Sequence, residues 1–226
     1  MLIGRETPRA SIAYAAVSCA EVAAILSIHL ATARAGRPID VVWLSAYSAG
    51  IATLYQALSL WLWRVADRRE VDLGQSSRTK PYPLPLFHLG LILSGFAAVS
   101  LARFLVDHHE SLATTDLVGI AVTMTLTAIS VAIASIRRGE ASLPHGAVLT
   151  GGCGAVAWAL AAASWRGVPS SPIGLGLACG GVSLALAGLG DRVRGRAEGW
   201  VRGYRDPLLV ATFLAVLCGW SFGGLA

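Results

Sequence analysis

The chain has 226 residues, 55% of them hydrophobic and only 14% charged, with a mean hydropathy of +0.63. Soluble domains are about a quarter charged, so this composition excludes an ordinary soluble domain. The formal net charge is +5 at pH 7, and the placement of that charge, described below, points to lipid headgroups and away from nucleic acid.

Uncharged or nearly uncharged runs occupy residues 10–33, 41–63, 86–106, 117–136, 146–165, 171–190 and 207–226. Each is about 20 residues or longer, roughly what a helix rising 1.5 Å per residue needs to cross a hydrocarbon core of about 30 Å. A soluble bundle would show amphipathic stripes with charged outer faces, and these runs have none. The expected fold is an all-α integral membrane protein, a single domain over 1–226 with seven transmembrane helices and short loops.

The first run is too long for the apolar region of a cleaved signal peptide. It carries Glu21 near mid-depth, the one carboxylate at that level. A charge there costs at least ~2.5 kcal/mol, so Glu21 is expected to face protein or water, or to be protonated. Ser18 shares its helix face. The second run offers a matching stripe of small and hydroxyl residues, Ser45, Ser48, Ala52, Tyr55 and Ser59, with Gln56 beside it. Glu21, Ser18, Ser48, Tyr55 and Gln56 are thus the candidate transport or ligand-binding set. Such stripes equally serve as helix-packing faces that hydrogen-bond across the contact. Comparable rows recur at Thr123, Thr127, Ser130 and Ala134, at Gly151–Gly154, and at Gly176, Gly180, Ser183 and Ala187.

Residues 64–85 read as a charged, then turn-rich loop whose prolines delay the third helix. Beyond that helix comes VDHHES, at 106–111. Asp107, His108, His109, Glu110 and Asp116, together with His29 from the outer end of the first run, are the candidate metal ligands that topology allows to meet. Imidazole and carboxylate suit Zn, Cu, Ni or Fe. Adjacent histidines diverge by about 100° on a helix, and the HExxH and HxxxH spacings are absent, so a polar interfacial loop is the simpler expectation. Residues 191–206 contain Val193, Ala197, Trp200, Val201 and Tyr204 at helical spacing among arginines. This reads as a basic interfacial segment in which Trp200, Arg192, Arg194 and Arg196 meet the headgroups, although Gly195, Gly199 and Gly203 weaken it as a helix.

With seven spans, the N-terminus and the second, fourth and sixth loops share one side. Fourteen of the eighteen basic residues lie there, and Arg34, Arg37, Arg103 and Arg166 lie on or nearest the other. That split predicts a cytoplasmic N-terminus and an external C-terminus in a cell (inner) membrane, with anionic headgroups as partners of the basic side. An Arg-, Ala- and Gly-rich composition is consistent with a high-GC bacterium.

Several chemistries fail on inventory. A retinal Schiff base needs a lysine within a span, and Lys80 lies in a loop. His29 and His88 differ in depth by about 24 Å from the helical rise, which argues against a bis-His haem. No phosphate-binding glycine loop or nucleophile elbow occurs, and no other cofactor follows from the residues. Cys19, Cys153, Cys179 and Cys218 stand on separate spans without ligand spacing, as small hydrophobes. The expectation is therefore a non-enzymatic accessory or scaffold subunit of a bacterial membrane complex, with membrane-protein partners or a homo-oligomer. A proton- or cation-coupled carrier or channel built on Glu21 is the alternative, and a metal-dependent enzyme at the external histidines is a further one.

Overall fold

The computed structural model describes residues 40–73, 83–108, 112–138, 142–167, 172–194 and 203–223. From the first run it describes Ile12, 14–16, Ser18, Cys19, Val22, Ala23, Ser27, Leu30 and Arg34, all of them helical. Six helices follow: α1 (Val41–Leu73), α2 (Pro83–His108), α3 (Thr114–Arg138), α4 (Ser142–Trp165), α5 (Pro172–Arg194) and α6 (Arg205–Gly223). All regular secondary structure among the described residues is helical.

The helix starts follow from local chemistry. At α1, Asp40 caps the first turn, its Oδ1 accepting from Val42 N–H at 2.9 Å. At α3, Asp116 reaches back so that its Oδ2 accepts from Ala113 N–H at 2.9 Å, a carboxylate placed where the helix dipole favours it. α2, α4, α5 and α6 carry Pro83 and Pro85, Pro144, Pro172 and Pro207 in their first turns. There the missing N–H would have had no intrahelical partner. This is why α2 begins at Pro83, within the stretch expected to be loop. α1 likewise continues through the charged stretch 64–73, because no helix breaker occurs before Gly74. α4 ends through Gly167, whose φ of 73° lies in the left-handed region that glycine adopts without a Cβ penalty.

Named contacts show that successive helices alternate in direction. Gln56 meets Phe87 and, one turn on, Ser59 meets Pro83. Ser94 meets Ser130 while Leu101 packs with Ile120. Between α5 and α6, Gly219 approaches Gly176 while Gly190 approaches Leu208. Thr114 meets Ser164 at one end of the α3–α4 pair, and Gly146 approaches Val131 toward the other. α1 lies alongside both α2 and α3, α3 against α4, and α5 against α6; the α5–α6 hairpin leans on α4. One end of the bundle collects Arg64, Arg137, Arg138, Arg192, Arg194 and Arg205, and the other collects Asp40, Asp107, Asp116 and Arg166.

Burial is inverted relative to a water-soluble bundle. Ser45, Ser48, Gln56, Ser59, Ser94, Thr123, Thr127 and Ser130 are buried, while Ile92, Val99, Leu177, Leu184, Phe213 and Trp220 are more than half exposed. Small and hydroxyl side chains inside with large apolar ones outside is the arrangement a lipid solvent favours. Among the described residues, five helices are long and apolar enough to cross a membrane: Val41–Ala66, Pro83–His108, Thr114–Ile136, Ser142–Trp165 and Gly174–Val193. Trp61 and Trp63 stand exposed toward the arginine-rich end, and Trp43, Trp165 and Trp220 toward the opposite one, the levels at which indole rings sit in a bilayer.

Candidate functional site: a polar seam and an apolar cleft

The first feature is a polar seam where α1, α2 and α3 meet. Gln56 is 1% exposed and donates from Nε2 to the carbonyl of Phe87 at 2.8 Å. It fits because residue 90 is glycine: a Cβ there would stand 2.7 Å from that same Nε2. One turn on, Ser59 donates to the carbonyl of Pro83 at 2.5 Å. Ser94 and Ser130 share a hydrogen bond of 2.8 Å between α2 and α3. The Thr53 hydroxyl lies 2.9 Å from the carbonyl of Leu126 and 2.8 Å from that of Ala49. The seam therefore consists of interhelical ties, each worth ~0.6 kcal/mol on average in a membrane bundle. Thr127 Oγ1 is buried in α3 and lacks a hydrogen-bond partner among the described residues.

Of the candidate transport set, Gln56 and Ser48 are buried in this seam, Tyr55 is half-buried on α1, and Ser18 is exposed. Glu21 lies outside the described residues. Where the first run does meet the bundle, Tyr14 Oη is 2.6 Å from His88 Nδ1, with the two rings stacked.

At the opposite end from the arginines, His108 is the last residue of α2. Its ring stacks on Phe104 with centroids 4.5 Å apart, and its Nδ1 lies 3.2 Å from the Phe104 carbonyl. Asp107 pairs with Arg103 at 3.9 Å on the exposed face, and Asp116 caps α3. His29, His109 and Glu110 lie outside the described residues. Among the described residues no group of three or more His, Cys, Asp or Glu is placed to hold a metal ion.

At the arginine-rich end, α5 runs on to Arg194, so Arg192 and Arg194 belong to that helix, with Arg192 exposed. Arg196 and Trp200 lie outside the described residues. Tyr204, in the turn before α6, hydrogen-bonds Ser135 near the end of α3 at 2.5 Å and so fixes where α6 begins.

The second feature is one that sequence reading did not find. A cleft of about 490 Å³ opens between α3 and α4 on one side and α5 and α6 on the other, reached at its far end by Leu105 and Leu112. Ile120, Met124, Val156 and Leu214 are among its walls. Cys153, Cys179 and Cys218, from α4, α5 and α6, line it together. They are free thiols. A Cβ on Gly219 would sit 3.3 Å from the carbonyl of Gly176, so this glycine pair sets how closely α5 and α6 approach along one wall. The small residues were legible in the sequence, but the gap left between two pairs of helices was not.

These features define a multi-pass helical membrane protein. Comparison with protein-family models, curated proteins and solved structures gives no match.

Proposed function

We propose that this chain is a non-enzymatic accessory or scaffold subunit of a bacterial inner-membrane complex, with seven spans, a cytoplasmic arginine-rich face and an external C-terminus. The observation that supports this reading is a division of labour inside the bundle. The polar side chains of the seam hold its own helices together, whereas the cleft between the two helix pairs is walled by apolar side chains and thiols. An apolar cleft inside a bilayer accepts hydrocarbon or an apolar helix, and small residues at its walls permit close helix approach. An apolar transmembrane helix of a partner subunit is the occupant this reading requires.

The test is purification in mild detergent followed by native mass spectrometry of unaltered protein and of Ala215→Phe, which places a ring in the cleft. A partner of fixed stoichiometry, lost in Ala215→Phe while the thermal transition stays in place, supports the scaffold. An isolated monomer whose transport activity disappears in Glu21→Gln, with folding unchanged, replaces it with the carrier reading, since the amide keeps shape and hydrogen bonding but not the titratable charge.

A further inference from the structure

A second groove, of about 410 Å³, lies between α4 and α5 and reaches toward the arginine-rich end. It meets the larger cleft at Val148, Gly152, Val182 and Leu186, which line both. Its floor on α4 is Gly151, Gly152 and Ala155, three small residues that leave the space open. Ala185 and Leu189 form the α5 side, and Val193, Tyr204 and Leu208 stand toward the arginines. Its walls are almost wholly apolar. Arg192, one residue before Val193, and Arg205, one residue after Tyr204, are exposed at this end of the bundle, and Arg205 lines a small separate pocket with Asp191. On the seven-span topology expected from the sequence, this side holds fourteen basic residues against eight acidic ones, and the other side four of each.

We propose that this groove is a binding site for an anionic phospholipid, with an acyl chain along Gly151, Ala155, Ala185 and Leu189 and the phosphate at Arg192 and Arg205. The charge argues for the headgroup: basic pockets between helices at the cytoplasmic face attract acidic lipids. The walls argue for the chain, because a free phosphate would use the arginines and leave the groove without a role. Tyr204 closes the site on the α3 side, since its hydroxyl is held by Ser135. A lipid seated here would fasten the α5–α6 hairpin to α4.

The experiment reads lipid retention on delipidated full-length protein by native mass spectrometry, using dioleoyl phosphatidylglycerol and dioleoyl phosphatidylcholine as probes. The unaltered chain should retain the phosphatidylglycerol preferentially. Arg192→Gln and Arg205→Gln should each weaken that preference about fivefold, the effect expected for one arginine near a lipid surface. Ala185→Phe, at an exposed position, should reduce retention of both lipids by filling the groove. Mapping crosslinks from a phosphatidylglycerol carrying a diazirine in its acyl chain needs no substitution, and these should concentrate in 148–155 and 182–193. Equal retention of the two lipids by unaltered protein would overturn the proposal. So would displacement of the lipid by inorganic phosphate, crosslinks spread evenly over the exposed face of α2, or a protein helix found crosslinked in the groove.

Discussion

Gln56 shows what a single polar side chain does in this bundle. It is fully buried, donates to the Phe87 carbonyl of the neighbouring helix and lies over Gly90. Gln56→Met removes the donor but retains the bulk, and should cost about 0.5–1.5 kcal/mol, the net worth of a typical hydrogen bond. Gly90→Ala forces the Gln56 side chain to move and should also destabilise the fold. In a Gln56→Ala background that space is vacant, so Gly90→Ala should then cost less than in the unaltered chain. A double-mutant cycle followed by thermal unfolding in detergent checks this coupling; strict additivity would mean the two positions are not in contact. Asp116 acts at the same scale. Asp116→Ala should lower stability by roughly 0.3–1 kcal/mol through loss of the cap, with Asp116→Asn between the two because its amide oxygen still accepts the Ala113 N–H. Sequence spacing made Gln56 visible as a neighbour of the Ser45–Ser59 stripe. Its partner on α2 was not visible, because a backbone carbonyl has no signature in the sequence.

Among the five candidate spans, α5 is the least embedded. Within the bundle 17% of its spanning window is buried, against 44% for α3. Its firm contact is with α6, where Gly219 packs on the Gly176–Gly180 backbone. Gly219→Val should therefore separate the hairpin, whereas Gly181→Val, whose Cβ meets nothing within 4 Å, should leave the isolated protein unchanged. Comparing their thermal transitions tests whether the glycine contact holds the pair. Hydrogen exchange should also show lower protection in 174–193 than in 117–134, because elements with few buried contacts open at lower free energy. That the uncharged runs form long apolar helices was legible, and five of them among the described residues are long and apolar enough to cross a membrane. Helix ends were less so, since prolines at 83 and 85 look like loop residues until they are placed in a first turn. The cleft was not legible at all, because it is a gap between elements and no residue announces it.

For the molecule as a whole, charge and geometry bear on the same point from different directions. The contacts of alternating helices bring Arg64, Arg137, Arg138, Arg192, Arg194 and Arg205 to one end, although nothing in helix packing requires those residues to gather there. Charge on connecting segments sets which way the spans insert, and an arginine-rich end remains in the cytoplasm. The opposite end, with Arg166 and Gly167 beyond α4, should then face outward. In a background where Cys19, Cys153, Cys179 and Cys218 are replaced by Ala, a single cysteine at position 166 should react with an impermeant maleimide on intact cells. A single cysteine at position 76, in the connection between α1 and α2, should react only after the membrane is opened. Labelling of 76 from outside would invert the topology. It would also remove the basis for placing an anionic headgroup at Arg192 and Arg205, since the cytoplasmic leaflet carries the negative surface potential. Labelling of both positions from outside would mean that an even number of α2, α3 and α4 cross. That is contrary to their alternation, in which Ser94 meets Ser130 while Leu101 packs with Ile120, and Thr114 meets Ser164 while Gly146 approaches Val131.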